Sequence, residues 1–197
     1  MELTSKEALE LLNQSKGIKS DDNWIMHSIC VGNSAGKIAE ALNLDVDYAT
    51  TLGYIHDIGK KFPSNQSHVI TGYEYILKLG YGDKYASVCL THSYLNNDLN
   101  CKAGGTSNIN TEEYQFKKAY IENHPYSIYE KIINLCDLIC KEENITMEQR
   151  LIELISRYGI FENTQYHIIE ALKLKRYFDD LLGYNLYDLF PEIKNNI

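Results

Sequence analysis

The decapeptide YIHDIGKKFP, residues 54–63, places two ionisable side chains, His56 and Asp57, next to each other in an apolar segment. Gly59 and two lysines follow at once. A buried, unpaired carboxylate is strongly destabilising or becomes neutral through a shift of its pKa. Asp57 therefore requires a partner. Gly59 favours the end of a helix, so the His-Asp pair is predicted to lie at a helix terminus.

Two further apolar segments carry a single ionisable residue each. IMHSICV contains His27, and KIINLCDLICK contains Asp137 in a helix that is apolar nearly all round. The three arginines of the chain are distant in sequence from these segments, so none is an evident partner for Asp137. They are Arg150, Arg157 and Arg176.

Two carboxylates and two imidazoles on three predicted helices favour a site for a divalent metal ion. A lone histidine on an apolar face is more often a hydrogen-bonded core residue than a ligand. Three such positions on separate helices favour the metal site instead.

The order of His27, His56-Asp57 and Asp137 resembles the H…HD…D signature of the HD-domain superfamily of metal-dependent phosphohydrolases. The string HDIGK is similar to the core of that signature. The resemblance covers about residues 22–141 and implies an all-α fold, an HD-domain helical bundle with additional C-terminal helices. It also implies one or two divalent ions, with Fe, Mn, Ni, Co and Zn as candidates.

Two histidines between the HD pair and Asp137 bear on the number of ions. His68 and His92 match the longer H…HD…H…H…D pattern, in which the HD aspartate bridges two metals. The alternative is that His68 is an exposed residue at a helix start and His92 a favourable cation at a helix C-terminus. His124 and His167 do not match the pattern and are interpreted as structural.

The helical periodicity predicts one domain over residues 1–197, with a motif core over about 22–141 and a helical extension over about 147–190. Residues 96–111 form a long polar interruption, typical of a lid, a binding loop or mobile surface. Helices are predicted from about residue 5, over 22–42, from 45 or 47 to about 59, and over 66–79, 84–92, 112–122, 126–141 and, as a pair, 147–182.

Composition narrows the classes of partner and compartment. The net charge of −8 argues against a nucleic-acid polymer as the main partner. No apolar run is long enough to predict a membrane span, so we expect a cytoplasmic protein without a membrane partner. The five cysteines form no CxxC pair, which is typical of buried free thiols in a reducing compartment. The oligomeric state is left open.

These features predict a metal-dependent hydrolase of a phosphorylated small molecule, most simply a nucleotide, in which a metal-activated water cleaves an ester or anhydride. Asp57 and Lys60 are the predicted catalytic residues, with Lys60 as a cation for the phosphate; its alternative is an exposed lysine near a helix end. Arg157 is a candidate substrate contact from the C-terminal extension.

Two other functions use the same ligands. The resemblance extends to HD-fold di-iron oxygenases, which cleave C–C or C–P bonds with O₂. A nucleotide-sensing module with weak activity is the third hypothesis.

Overall fold

The structure, a computed structural model, describes residues 1–18, 22–63, 65–105 and 111–194. Within these ranges the chain is helical, without a strand beyond one isolated bridge between Cys140 and Asn144. The all-α prediction is confirmed. The α-helices are α1 (Ser5–Asn13), α2 (Asn23–Ala41), α3 (Val46–Ile55), α4 (His68–Lys78), α5 (Asp83–Thr91), α6 (Glu112–Asn123), α7 (Ile128–Asp137), α8 (Met147–Tyr158), α9 (Thr164–Leu182) and α10 (Pro191–Lys194), with 3₁₀ helices at Ile58–Lys61, Leu95–Asn97 and Leu186–Leu189.

Reciprocal side-chain caps begin several of these helices. At α1, the Thr4 hydroxyl accepts a hydrogen bond from the Glu7 backbone N–H, and the Glu7 carboxylate accepts one from the Thr4 N–H. The same arrangement begins α7 and α8. Each capping box satisfies backbone donors that a helix start leaves unpaired, which is why the sequence pattern locates these starts well.

Helices α2 and α3 cross at two glycines. A Cβ atom on Gly53 would lie 2.4 Å from the Gly32 Cα atom, and one on Gly32 would lie 2.3 Å from the Tyr54 ring. Only residues without a side chain allow the two backbones to approach this closely. The crossing brings the start of α2, with His27, beside the end of α3, with His56.

Helix α3 ends at Ile55, earlier than the predicted end near Gly59. His56 caps the helix, Asp57 follows, and the 3₁₀ helix Ile58–Lys61 turns the chain away. The HD pair therefore lies at a helix terminus, as expected, but Gly59 has another role. A Cβ atom at Gly59 would lie 1.9 Å from the His68 carbonyl oxygen, so this glycine permits α4 to pack against the turn.

Helix α7 also ends early, at Asp137 instead of near residue 141. Leu138 caps it, and the chain then turns through the bridge from Cys140 to Asn144. The Asn144 amide donates to the Ser34 hydroxyl at 2.8 Å, which holds this turn against α2. Asp137 is consequently the last helical residue, and its side chain is 24% exposed.

The predicted helix pair over 147–182 is confirmed as α8 and α9. Gly159 separates them at a φ of +78°, a left-handed conformation that glycine adopts without strain. All five cysteines are buried and unbridged. None of the described helices combines the length and the hydropathy that crossing a lipid bilayer requires. Of the predicted polar interruption, residues 106–110 lie outside the described part.

Replacing Gly59 with alanine is expected to destabilise the fold and displace His68, because the new Cβ meets backbone atoms that cannot rotate away. Overpacking of this kind costs about 1–3 kcal/mol, equivalent to roughly 2–12 °C in the midpoint of thermal unfolding. Calorimetry and metal content of the purified variant measure both effects.

Gly80→Ala is the matched control, since a Cβ there meets nothing within 4 Å although φ is +85°. It should lose some stability through backbone strain and keep its metal content. Equal metal content in Gly59→Ala and Gly80→Ala would contradict the proposed positioning of His68.

Candidate metal centre

The carboxylate of Asp57 is the centre of the site, and four histidines surround it. Its Oδ2 atom lies 3.9 Å from His27 Nε2 and 3.5 Å from His56 Nε2. Its Oδ1 atom lies 3.2 Å from His68 Nε2 and 3.5 Å from His92 Nε2. Each carboxylate oxygen thus faces a different pair of imidazoles, which is the arrangement expected of a carboxylate that bridges two ions.

The spacing of these donor atoms suits metal ions. With bonds of about 2.1 Å, two ligands of one tetrahedral or octahedral ion lie about 3.0–3.4 Å apart. Two sets of donor atoms have all their members within 4.8 Å of one another, and Asp57 belongs to both. The first set adds His27 and His56, and the second adds His68 and His92.

Hydrogen bonds orient two of the rings so that their Nε2 atoms face the centre. His56 Nδ1 lies 2.7 Å from the Gly53 carbonyl oxygen, and His92 Nδ1 lies 3.1 Å from that of Val88. With Nδ1–H as donor, Nε2 keeps its lone pair for a metal.

Two buried atoms at the centre have no hydrogen-bond partner among the described residues: His56 Nε2 and Asp57 Oδ1. Leaving buried polar atoms unpaired is costly, and a bound cation would satisfy both. The residues present therefore fit a divalent metal.

The protonation states of Asp57 and His92 are compatible with metal binding, whereas a metal at His56 would have to displace a proton. Burial would raise the pKa of Asp57, but the Lys60 ammonium and His56 lower it well below its usual range. Burial lowers the pKa of His92 to about 3, so this ring is neutral. At His56 the effect of burial is outweighed by the charge of Asp57, which raises the pKa of the ring.

Lys60 and Asp137 flank the centre. The Lys60 ammonium contacts Asp57 Oδ2, and Asp57 outweighs the effect of burial and raises the pKa of the lysine. Asp137 Oδ1 lies 3.0 Å from His27 Nε2. Asp137 thus adjoins His27 but does not belong to either set of three.

One of the three arginines, Arg150, contacts Asp137 although the two residues are distant in sequence. Arg150 Nη2 lies 3.9 Å from Asp137 Oδ1, and Arg150 Nε donates to the Asp137 carbonyl oxygen at 3.4 Å. Arg150 is 11% exposed and belongs to α8. Helix α8 folds back onto the end of α7 and supplies a cation to a residue 13 positions earlier in the chain.

A cavity of about 710 Å³ opens from the metal centre. Arg157, the candidate substrate contact, lines it, and so does His167, for which the sequence predicts only a structural role. Burial lowers the pKa of His167 to about 4. His124 lies elsewhere and contacts the Glu130 carboxylate at 2.7 Å. The cationic side chains that line the cavity are Lys60, Lys102, Lys141, Arg150 and Arg157.

Part of this lining was recognisable in the sequence. Arg150 and Arg157 are seven residues apart, so they lie on the same face of a helix. Lys102 and Lys141 carry no such pattern, because their placement depends on turns between helices.

The chain was compared with known proteins. The family model for the HD domain matches residues 24–142. Ribonuclease Y of Mycoplasma mycoides is 46% identical over 54 residues, 26% of this chain and 13% of that protein. Ribonuclease Y of Fervidobacterium nodosum is 34% identical over 89 residues, 44% of this chain and 17% of that protein.

A longer match is weaker in identity. The tRNA (cytidine(56)-2'-O)-methyltransferase of Picrophilus torridus is 25% identical over 182 residues, 90% of this chain and 48% of that protein. The chain thus spans less than half the length of each of these relatives. No solved structure matches significantly.

The shared position of Asp57 makes a prediction about metal stoichiometry. Wild-type protein should bind two equivalents of a divalent metal, His92→Ala one and Asp57→Ala fewer than one, because only Asp57 belongs to both ligand sets. Elemental analysis of metal-reconstituted protein, with circular dichroism to verify folding, measures the ratio. His124→Ala, outside both sets, is the control and should keep two. A folded Asp57→Ala variant with two equivalents would refute the bridging arrangement.

Proposed function

The chain belongs to the HD-domain family, and we propose that it hydrolyses a phosphate ester or anhydride of a nucleotide. Members of this family are generally metal-dependent hydrolases. One observation carries the proposal: Asp57 offers one oxygen to each of two histidine pairs beside a cavity lined by cations. Such a site suits a reaction in which a phosphate group and a water must be brought together between positive charges.

A divalent ion in this site would lower the pKa of a water molecule and offset the negative charge of a phosphate group. The protein's own contribution is orientation. Gly53 and Val88 fix the rings of His56 and His92 through their carbonyl oxygens. Lys60, 36% exposed and in contact with Asp57, is close enough to the centre to contact a phosphate oxygen as a point charge.

The dimensions and chemistry of the cavity support a nucleotide. Its volume of about 710 Å³ lies within the range of about 300–1,000 Å³ that is usual for small-molecule sites. Trp24 and Tyr158 line it and offer aromatic surface for a base. The name of the matched Ribonuclease Y states an activity on RNA, but the longest of these matches covers 17% of that protein. Because of that name, a short RNA is included among the candidate substrates to be tested.

Release of inorganic phosphate, pyrophosphate or a nucleotide product from a panel of nucleotides and a short RNA tests the proposal. Metal-reconstituted protein should hydrolyse at least one nucleoside mono-, di- or triphosphate, cyclic nucleotide or short RNA, and chelation should abolish turnover. Asp57→Ala should be inactive. Oxygen uptake, followed in parallel with iron-loaded protein, separates hydrolysis from oxygenase chemistry. Uptake without any hydrolysis product, whether phosphate, pyrophosphate or a nucleotide, would refute the proposal.

Lys60→Ala should lower kcat/KM by about 10- to 100-fold, because a charge-assisted hydrogen bond contributes about 1.5–3 kcal/mol and each 1.4 kcal/mol is tenfold. Steady-state kinetics on the best substrate of the panel provide the comparison.

Lys61→Ala is the matched control. The Lys61 ammonium lies 3.8 Å from the centroid of the Tyr75 ring and does not line the cavity. It should retain wild-type kcat/KM. Equal losses in the two lysine variants would argue against a specific role of Lys60.

A further inference from the structure

The cavity has a wall that the HD-domain match does not include. Residues of α8 line it, and α8 begins at Met147, whereas the match ends at residue 142. The segment 102–104 forms the adjoining part of the lining. A Cβ atom on Gly104 would lie 3.3 Å from the Tyr158 ring, so the segment and the end of α8 are in contact.

Hydrogen bonds fix the turn that presents this segment. The Leu95 N–H donates to the Cys101 carbonyl oxygen at 2.9 Å, and the Cys101 N–H donates to that of Asp98 at 2.9 Å. The Tyr166 hydroxyl on α9 donates to the Asp98 carboxylate at 3.1 Å. Cys101 is fully buried, so the turn is anchored immediately before Lys102.

Lys102 lines the cavity and is partly buried. It makes no ion pair with any described residue. Glu113 is among the described residues, and residues 19–21 are not. Burial lowers its pKa, the charge of Lys117 lowers it further, and Glu113 acts in the opposite direction. Glu113, however, bonds to Lys117 at 2.9 Å. Glu113 therefore pairs with Lys117, and Lys102 has no carboxylate of its own among the described residues.

Three of the other four cations of the lining pair with carboxylates, whereas Lys141 has no ion pair among the described residues. Arg150 and Arg157 both pair with Glu153. Lys60 pairs with Asp57. Lys102, like Lys141, thus combines a place in the cavity lining, partial burial and the lack of a carboxylate partner among the residues described. In a protein of net charge −8, such a position is suited to a ligand anion.

We propose that Lys102, with the adjoining end of α8, binds a second phosphate group of the substrate while the first is held at the metal centre. The inference rests on the proposed phosphohydrolase function and narrows its substrate to a nucleotide with at least two phosphates. The second phosphate is joined to the first either by an anhydride, as in a nucleoside diphosphate, or through a sugar, as in a dinucleotide.

Binding measurements on the metal-loaded full chain test this without turnover. Isothermal titration calorimetry with adenosine 5′-monothiophosphate, α,β-methylene-ADP and a thiophosphate-linked pApA compares one phosphate with two in both linkages. Wild-type protein should bind at least one two-phosphate ligand about tenfold more tightly than the monothiophosphate, a difference of about 1.4 kcal/mol. The ligand preferred identifies the linkage.

Lys102→Met should abolish this preference and leave the affinity for the monothiophosphate unchanged, which also demonstrates an intact site. Lys102→Arg should restore it in part by retaining the charge. Lys118→Met removes a lysine that is 47% exposed and outside the cavity lining, and it should behave as wild type.

The inference would be overturned if Lys102→Met still bound a two-phosphate ligand more tightly than the monothiophosphate. It would also be overturned if wild-type protein showed no such preference for either linkage. Neither result depends on catalysis. Failure of the hydrolase proposal would appear instead as binding without hydrolysis of any member of the panel.

Discussion

The burial of one ionised carboxylate, that of Asp57, is the constraint on which the rest of the structure depends. At 2% exposure, Asp57 has lost nearly all its contact with water. The Lys60 ammonium and four imidazoles replace that contact. A buried charge is tolerated only when its partners are close and well oriented. One oxygen and the His56 Nε2 atom still lack a hydrogen bond among the described residues, so the protein alone compensates the charge incompletely. A bound cation would complete the compensation of this buried charge.

The position of the candidate ligands at helix ends allows their side chains to converge on one centre. Consecutive residues inside a helix point about 100° apart, so neighbouring side chains cannot converge on one centre from the middle of a helix. Accordingly, His27 alone among the candidate ligands lies inside a helix, and the others are at termini or next to one. Gly59 makes this convergence possible, because it lets the first turn of α4 approach the HD turn without a side chain between them. The candidate ligands at or beside helix ends are His56, Asp57, His68, His92 and Asp137.

The sequence predicts the centre of the candidate metal site because a buried position is unfavourable for an ionisable residue. His56, Asp57 and Asp137 stand out as ionisable residues in apolar segments, and the helices that carry them have local caps that mark their starts. The ends of α3 and α7 were placed too late, because packing against α4 and the bridge from Cys140 to Asn144, respectively, terminate them. Arg150 was overlooked for a related reason: its contact with Asp137 depends on how α8 folds back, which no local pattern encodes. Assignment of the six ligands and of Lys60 stays a prediction until metal is measured.

The division of the cavity into two parts has a consequence for specificity. Residues 24–142 match the HD domain and contain the candidate ligands, whereas α8 and α9 lie beyond that match. The opposite lining comes from the C-terminal helices beyond the match and from Lys102 and its turn, which lie within the matched residues. Changes in the core should affect kcat and metal content together. Changes in the wall should act on ligand affinity, because under the proposed function these side chains would contact the part of the substrate that does not react. In an acidic protein, the placement of Lys102 and Lys141 in this lining without an ion pair among the described residues is the feature least explained by folding alone.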